Sequence, residues 1–311
     1  MINTVTLNPA IDKMLFLNKL EKNMTNRIQE IEQTIGGKGT HVSVNLKQMG
    51  ENSNVFGICH GETGAMILKL LQTYGLNLHF IHEETFQTRT NYLLIEDSGD
   101  CTIIAEKGVQ LSDTDLQKLF DKMSATIQEE DYLILSGDVS NCQDPMVYNK
   151  LLAFLKKKNL KVFLDTSGNS LGLCIKESPF LIKPNLDELS TLCNRPVSPE
   201  DEDIIAAIDS LDPYHVQIIA VSLGGNGSMV KTPEGTFRVY PPKVNVIHTI
   251  GCGDCYLAGF VHGLSKNLSI EDTIRTATAV SAATAESRSS VGFSMERAQE
   301  LIPLVKINKL N

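Results

Sequence analysis

The sequence predicts an α/β protein built around a mostly parallel sheet. From Leu111 onward, short apolar segments alternate with amphipathic helical patterns, which is typical of βαβ units. The 311 residues, 42% hydrophobic and 21% charged, are sufficient for one large core. Two regions, about 13–34 and 88–106, contain only strand-like segments, and we predict that they pair as a small sheet over one end of the main domain.

The first third of the chain combines short strands with two helices. Apolar periodicity predicts helices over 42–49, ending at Gly50, and over 65–71, stopped at Gly75. Ser98-Gly99 marks the turn between the last two strands. The predicted strands are Ile2–Leu7, Lys13–Leu17, Arg27–Thr34, Val55–Cys59, Leu78–Ile81, Thr90–Ile95 and Cys101–Ala105.

The remaining two thirds alternate regularly. The predicted helices span 112–127, 145–157, a short segment before 180, 185–193, 200–210, 253–265, 270–286 and 294–304. The predicted strands are Tyr132–Leu135, Val162–Leu164, Phe180–Ile182 and Val216–Val221, followed by a hairpin of 228–232 with 236–240. Val244, Val246 and Ile247 are predicted to end a further strand, directly before the turn at Gly251.

Charge and composition exclude several classes of function. The net charge of −9, without a long Lys or Arg run, argues against a nucleic-acid partner. No stretch approaches the roughly 20 apolar residues of a membrane span, and no signal-peptide pattern opens the chain. Seven scattered cysteines favour free thiols in a reducing cytoplasm. We therefore expect a cytoplasmic protein whose small anionic substrate would need a local cluster of basic residues.

The most informative motif is Gly251-Cys252-Gly253-Asp254, which precedes an apolar helical pattern. Free N–H groups at a helix N-terminus attract phosphate oxygens, and Asp254 could accept a proton from an attacking hydroxyl. The alternative is an ordinary helix start with Asp254 as its cap, and the local residues leave both interpretations open.

The same segment contains Cys252-x-x-Cys255, which could be a metal or redox pair. A zinc site would need two more ligands, and only His248 and His262 lie nearby, at unfavourable spacing. We therefore disfavour both roles. Because Cys255 lies at a helix N-terminus, we nevertheless expect its thiol to have a low pKa.

Glycine-rich and polar segments supply four weaker candidates. Gly36-Gly37-Lys38-Gly39 does not have the spacing of a Walker A motif. Its glycines could let a ligand approach the backbone while Lys38 holds an anion, or the segment could be a plain turn. Lys183-Pro184-Asn185 with Glu188 fits a capping box, or a polar cluster that positions Mg²⁺ through water. The loop Ser222–Gly227 could contact a nucleotide or only turn the chain. Asp12 could bind sugar hydroxyls or form a local turn.

These motifs occur together and in one order, and the whole chain resembles the ribokinase-like carbohydrate kinases of the phosphofructokinase B type. The resemblance is strongest to the branch of 1-phosphofructokinases and tagatose-6-phosphate kinases. Thr6-Leu7-Asn8-Pro9-Ala10-Ile11-Asp12 is similar to the opening T-L-N-P-A-x-D of that branch. The glycine motif at 36–39, Asn185-x-x-Glu188 and Gly251-x-Gly253-Asp254 resemble the later signatures of the family.

The resemblance implies a fold and a set of roles. The expected fold is a single domain, 1–311, with a three-layer α/β/α sandwich and a β-sheet lid of about 12–35 and 87–108, often shared across a homodimer. The expected reaction is phosphoryl transfer from ATP with Mg²⁺, and a monovalent cation near the anion hole is also compatible with the family. The resemblance implies that Asp254 is the base and that the anion hole is formed by Gly251, Cys252 and Gly253. The residues implied to bind the substrate are Asp12, Arg27, Gly37, Lys38, His41 and Arg89. Those implied to bind ATP are Lys183, Asn185, Ser222, Gly224 and Gly227, and those implied to hold Mg²⁺ through water are Asn185 and Glu188.

Some residues depart from the family pattern. His41 stands where the family usually has Asn, and Ser136-Gly137-Asp138-Val139 replaces S-G-S-L-P, placing an acid near the expected phosphosugar. The leading hypothesis is phosphorylation of fructose 1-phosphate or tagatose 6-phosphate. The alternatives are a kinase of an unphosphorylated sugar or nucleoside, and a non-catalytic sensor of a sugar phosphate.

Overall fold

Apolar strands and amphipathic helices assemble into a ten-stranded sheet with helices on both faces, beside a separate four-stranded sheet. The computed structural model describes residues 1–310. The strands are β1 (Ile2–Thr6), β2 (Ala10–Leu17), β3 (Glu30–Gly36), β4 (Ser53–His60), β5 (Asn77–Glu83), β6 (Thr90–Glu96), β7 (Cys101–Ala105), β8 (Tyr132–Ser136), β9 (Lys161–Asp165), β10 (Leu181–Ile182), β11 (Ile218–Ser222), β12 (Ser228–Thr232), β13 (Gly235–Tyr240) and β14 (Lys306–Lys309).

The α-helices are α1 (Lys38–Gln48), α2 (Gly61–Thr73), α3 (Asp113–Thr126), α4 (Val147–Leu155), α5 (Gly168–Cys174), α6 (Leu186–Leu192), α7 (Asp201–Asp209), α8 (Cys252–Ser265), α9 (Ile270–Ala285) and α10 (Met295–Leu301). Single 3-10 turns lie at Lys156–Lys158, Ile175–Glu177, Asp212–Tyr214, Gly224–Asn226 and Ile302–Leu304. Within residues 1–310, no helix has the length and apolar character needed to cross a membrane.

The large sheet is parallel over seven of its strands. Its order is β14-β13-β12-β11-β10-β9-β8-β1-β4-β5, and the strands from β11 to β5 run parallel, whereas β12, β13 and β14 are antiparallel. The carboxyl ends of β1, β8 and β9 therefore meet at one edge. Ligands of open α/β sheets bind at this edge.

Two apolar clusters attach the helices to the faces of this sheet. Side chains of α3 to α7 pack on one face, around Tyr148 and Phe56, while α1, α8, α9 and α10 pack on the other, around Phe163 and Phe260. Strand residues alternate between the clusters, as Leu133 and Ile134 of β8 do. The predicted three-layer α/β/α arrangement is confirmed.

The two β-only regions form the small sheet, with the order β3-β2-β6-β7. Strands β2 and β6 are parallel, and the other neighbouring pairs are antiparallel. Met14, Leu93 and Ile95 form a buried apolar cluster in this sheet, against which Ile250 of the main body packs. The predicted pairing of these regions is therefore confirmed.

The strand predicted at Val244–Ile247 is wrong. The segment between β13 and α8 has no strand, although residues 241–251 are all described. Pro241 and Pro242 follow β13, and proline cannot donate to a β-ladder. The N–H of Ile247 instead donates to the carbonyl of Ala285 (2.8 Å), and Val246 is 54% exposed. Strand β14, a short and mostly polar edge strand paired with β13, was not predicted from the sequence.

The helix that carries Asp254 is held closely against α9 by glycine. A Cβ atom on Gly259 of α8 would lie 2.5 Å from the Cα atom of Ala277 in α9. A Cβ on Gly263 would lie 2.6 Å from the Thr273 hydroxyl. These two glycines therefore set how deeply α8 packs into the core.

We predict that Gly259→Ala destabilises the protein by about 1–3 kcal/mol, because the new methyl group would overpack the contact between α8 and α9. The matched control is Gly172→Ala in α5, where the same Cβ would meet nothing within 4 Å. Urea denaturation followed by circular dichroism measures both. Equal midpoints for the two variants would contradict this account of the helix packing.

Candidate active site

A left-handed turn at Gly251 begins α8 at the mouth of a cavity. Gly251 has a φ of 77°, and a Cβ there would lie 2.1 Å from the carbonyl oxygen of Ser290, so this position needs glycine. The first helical hydrogen bond runs from Cys255 N–H to Gly251 C=O (2.9 Å). The N–H groups of Gly253 and Asp254 therefore have no helical acceptor, and the positive end of the helix dipole faces the cavity.

The cavity has a volume of about 320 Å³ and lies between the small sheet and the carboxyl ends of β1, β8 and β9. Most of the residues proposed to bind the sugar and to catalyse transfer share this wall, and several polar neighbours join them. The lining residues are Thr6, Asn8, Asp12, Gly37, Lys38, His41, Arg89, Asn91, Leu93, Ile103, Ser136, Gly137, Asp138, Asp165, Lys183, Ile250, Gly251, Gly253 and Asp254.

Asp165 joins two lysines at the floor of the cavity. Its Oδ1 lies 3.3 Å from the Lys38 ammonium and 3.2 Å from that of Lys183. Burial favours the neutral acid, but the charges of Lys183 and Lys38 hold the pKa of Asp165 below its ordinary value. In turn, the charge of Asp165 raises the pKa of Lys38. A Cβ on Gly253 would lie 3.3 Å from the Lys183 ammonium, so this cation borders the α8 N-terminus.

His41 connects α1 to Asp254. Its Nδ1 lies 2.7 Å from Asp254 Oδ2, its Nε2 lies 2.7 Å from the Ile35 carbonyl oxygen, and Asp12 Oδ2 is 3.9 Å from Nε2. Burial alone would lower the pKa of His41, but the hydrogen bond and charge of Asp254, with smaller contributions from Asp12 and Ile35, raise it to about 9. Asp254 is buried, with only 6% of its surface exposed.

The glycine motif at 36–39 makes room for neighbouring atoms of the protein. A Cβ on Gly36 would lie 2.0 Å from Asp12 Oδ1, and one on Gly39 would lie 2.4 Å from the Thr6 hydroxyl. Gly37 has a φ of 105° and lines the cavity. The motif therefore brings Asp12 and β1 close to the start of α1. Burial raises the pKa of Asp12, partly offset by His41 and by a hydrogen bond from Asn91 (2.8 Å).

The residues assigned to ATP and metal lie beside the cavity, except for Lys183, which lines it. Asn185 and Ser222 form a parallel β-bridge at the ends of β10 and β11. Gly224 has a φ of 58° and is exposed, and a Cβ at this position would meet nothing within 4 Å. Position 227 requires glycine for a structural reason, because a Cβ added there would lie 2.0 Å from the Val239 carbonyl oxygen.

Asn185 and Glu188 form the capping box of α6. The Asn185 side chain accepts from Glu188 N–H (2.8 Å), and Glu188 Oε2 accepts from Asn185 N–H (2.9 Å). Within residues 1–310, no cluster of three or more His, Cys, Asp or Glu side chains could enclose a metal ion. The second oxygen of Glu188 still fits the usual binding of Mg²⁺, which takes one carboxylate together with water and substrate phosphates.

The two arginines assigned to the substrate phosphate differ in position. Arg89 lines the cavity, and its guanidinium donates to the Asn8 carbonyl (3.0 and 3.2 Å) and the Glu106 carbonyl (3.3 Å). Arg27 is exposed in the loop between β2 and β3 and does not line the cavity of its own chain. The structure therefore brings Arg89 and Lys38 together, but not Arg27.

A model of the pfkB family of carbohydrate kinases matches residues 5–298. The chain belongs to this family. This kinase is 32% identical to the 1-phosphofructokinase of Bacillus subtilis over 310 residues, covering 100% of both chains. It is 28% identical to the tagatose-6-phosphate kinase of Staphylococcus epidermidis over 309 residues, covering 99% of both.

A solved structure has the same fold. The phosphofructokinase-2 of Escherichia coli, in complex with potassium, superposes with a TM-score of 0.89 at 23% identity, covering 97% of the kinase and 98% of the other chain. It shares the large, mostly parallel sheet and the small second sheet. The predicted ribokinase-like fold and membership of the phosphofructokinase B type are thereby confirmed.

The expectation of a low thiol pKa at Cys255 is wrong. Burial raises the pKa of Cys255 well above its ordinary value and raises that of Cys252 to about 12. Both residues are free cysteines, and the Cys255 thiol faces the Val280 carbonyl oxygen (3.4 Å) in the contact with α9. The helix N-terminus does not activate these thiols, because burial and the nearby Asp254 charge disfavour the thiolate.

Several cavity residues had been given no role from the sequence: Asp165, Asn91, Thr6 and Asn8 line the wall. Asp138, the acid expected near the phosphosugar, lines it as well. Asp165 ends β9, and Asp138 follows β8 by two residues. A polar residue at the carboxyl end of a parallel strand was the available signal. Asp138 accepts from the Asn8 amide (3.2 Å) and from Ser140 N–H (2.8 Å), so protein donors already satisfy it.

We predict that Asp165→Asn lowers stability by about 3 kcal/mol, because it leaves the buried Lys183 ammonium without its carboxylate partner. The matched control is Asp209→Asn in the exposed pair with Lys231 (2.7 Å), where the expected loss is below about 1 kcal/mol. Urea denaturation at pH 7 measures both variants. Similar small losses would show that the buried cluster contributes no more than a surface pair.

Proposed function

We propose that this carbohydrate kinase transfers the γ-phosphoryl group of ATP to a hydroxyl of a ketohexose phosphate, with Asp254 as the general base. Fructose 1-phosphate and tagatose 6-phosphate are the favoured acceptors. The observation that carries the proposal is the Asp254 carboxylate in the first turn of α8, on the wall of a cavity that also contains Lys38 and Arg89. The names of the two curated relatives support the choice of acceptors.

Each group has a defined task in the proposed transfer. The acceptor oxygen attacks the γ-phosphorus while its proton passes to Asp254, and the bond from phosphorus to the ADP oxygen breaks. The N–H groups at the start of α8, within the segment Gly251–Gly253, donate to the transferring oxygens. Lys38 and Lys183 balance the negative charge. When bound near Glu188 and Asn185, Mg²⁺ would neutralise the phosphate oxygens.

Nucleotide and sugar are proposed to occupy adjoining places. Asn185, Ser222, Gly224 and Gly227 lie on the surface beside the cavity, where exposed glycine backbone admits close contact with ATP. Lys183 joins this surface to the cavity because it precedes Asn185 by two residues and lies on the cavity wall. Asp12 and Gly37 are the proposed contacts of the sugar, and His41 lines the same side with its ring nitrogens engaged by Asp254 and Ile35.

An unphosphorylated sugar or nucleoside is the second candidate acceptor. Asp138 favours it, since a carboxylate on the cavity wall repels a substrate phosphate. Against it, Asp138 already accepts from Asn8 and Ser140, whereas Arg89 offers a planar cation to a phosphate. A non-catalytic sensor is disfavoured because it has no need of a carboxylate in the Asp254 position.

The small sheet supports the proposal of a lid shared between two copies. With residues 12–35 and 87–108 as this lid, the chain would be a single kinase domain. By strand register, Leu15, Ile31, Leu94 and Ile104 share the sheet face opposite Met14, and Ile31 and Ile104 are 60% and 57% exposed. A second copy covering this face would form a homodimer. Arg27 does not line the cavity of its own chain, so a role in phosphate binding requires its loop to reach the cavity of the second copy.

Two further predictions concern the ions and the location. The potassium complex of the Escherichia coli protein supports a monovalent cation in this kinase as well. A cytoplasmic location stays a prediction from the free cysteines.

We predict that Asp254→Ala lowers kcat by about 10³-fold with the best acceptor, because the attacking hydroxyl loses its proton acceptor. ATP binding, measured by calorimetry, and the circular dichroism spectrum should match those of the wild type. A variant that retains more than about a tenth of wild-type kcat would contradict the role of Asp254 as base.

We predict that Arg89→Ala raises KM for the phosphosugar by about tenfold, the loss expected for a charged hydrogen bond, with a smaller change in kcat. Arg27→Ala is the comparison variant. Its KM should be unchanged if one chain completes the cavity, and it should rise if the lid is shared between two copies. Steady-state ADP release measures both. Unchanged KM values in both variants would favour an unphosphorylated acceptor.

A further inference from the structure

Both ring nitrogens of His41 face acceptors. Nε2 lies 2.7 Å from the carbonyl oxygen of Ile35, and a carbonyl can only accept, so Nε2 carries a proton. Nδ1 lies 2.7 Å from Asp254 Oδ2. A neutral ring that donates from Nε2 would direct its Nδ1 lone pair at the carboxylate. The short distance therefore requires a second proton between Nδ1 and Oδ2.

The surrounding charges favour placing that proton on the ring. The charged groups that face the imidazole are Asp254 from α8, in the hydrogen bond, and Asp12 from β2, with Oδ2 at 3.9 Å from Nε2. Beyond these two carboxylates, the positive charge of Arg89 interacts with Asp12 and that of Lys38 interacts with Asp254. Two carboxylates thus flank one buried ring, and the charge of an imidazolium is compensated on both sides.

We propose that His41 is a positioning residue whose doubly protonated ring holds Asp254 by Oδ2 and leaves Oδ1 available to the acceptor hydroxyl. This inference rests on the proposed role of Asp254 as base. The carbonyl of Ile35 fixes the ring from the opposite side, so the carboxylate is oriented by a group that is itself anchored. Asparagine, usual in the family at this position, could supply a donor but no charge.

The arrangement has a consequence for pH. The pKa of His41 is raised to about 9, so the ring carries both protons below this value and loses the Nδ1 proton as the pH rises through it. Above about pH 9, an Nδ1 lone pair would face the carboxylate, which would turn away from the acceptor. The wild-type enzyme should therefore lose kcat on the alkaline side, near pH 9.

Two substitutions separate the two hydrogen bonds of the ring. The amide nitrogen of Asn can occupy the place of Nδ1 and donate to Asp254, whereas the amide of Gln reaches the place of Nε2 and donates to Ile35. We expect His41→Gln to lower kcat about 100-fold with KM changed less than about threefold, because the base is misplaced. We expect His41→Asn to keep kcat within about tenfold of the wild type and to lack the alkaline loss near pH 9.

The matched control is His262→Gln in α8, which breaks another pair of histidine Nδ1 and carboxylate, with Glu51 (2.8 Å), away from the cavity. It should leave the pH profile unchanged. Wild-type kcat in His41→Gln, or an alkaline loss that persists in His41→Asn, overturns the inference. If Asp254→Ala is active, the proposed function fails instead; if it is inactive while His41→Gln is fully active, only the role of His41 fails.

A spectroscopic measurement does not depend on turnover or on the folding of the His41 variants. In protein labelled with ¹⁵N-histidine, both ring nitrogens of His41 should have imidazolium shifts at pH 7 and titrate near pH 9. In Asp254→Asn, the titration should move to lower pH because the carboxylate is gone. A neutral His41 ring at pH 7 in the wild-type protein would overturn the assignment.

Discussion

The left-handed turn at Gly251 is the constraint on which the site depends. The Ser290 carbonyl against this residue excludes any side chain, and the turn begins α8 at the edge of the sheet. From there the first turn of the helix places open N–H groups and the Asp254 carboxylate on one wall. Glycines on the far side of α8 hold the helix against α9. The packing of the core thus determines where the proposed base lies.

Local positive charge gathers at the cavity of an otherwise acidic protein. The net charge is −9, yet Lys38, Lys183 and Arg89 converge on one cavity. Asp165 holds the two lysines side by side, and their charges keep it in the carboxylate form. Such a cluster is organised before any ligand arrives, so little reorganisation accompanies binding. In the proposed function, this preorganised floor would let negative phosphates approach a protein with excess negative charge.

Much of the fold could be predicted because local patterns agree with it. The alternation of strands and helices and the glycine motifs follow from residues near each other in sequence. The pairing of the two β-only regions is a distant contact, and it was predicted because neither region fits the βαβ alternation. The strand before Gly251 was mispredicted because Val244 and Val246 are apolar, although prolines precede them and Val246 is exposed. The polar strand β14 carried no apolar signal and depends on β13 for its pairing.

The site was less predictable because its contacts are distant in sequence. His41 and Asp254 are 213 residues apart, and Asp165 is 127 residues from Lys38. Asn185 and Glu188 illustrate the reverse case, since their capping box is visible in the sequence and the structure forms it. The motifs indicated which residues carry chemistry, but only the folded chain shows which of them meet.

The most direct test of the central claim is ADP release by the wild-type protein across a panel of hexoses, hexose phosphates and nucleosides, with ATP and Mg²⁺ at pH 7. The account predicts turnover with a ketohexose phosphate, highest with fructose 1-phosphate or tagatose 6-phosphate. Turnover restricted to unphosphorylated sugars or nucleosides would contradict the assigned substrate class. Silence across the panel, together with tight binding of one phosphosugar, would contradict catalysis and support a sensor.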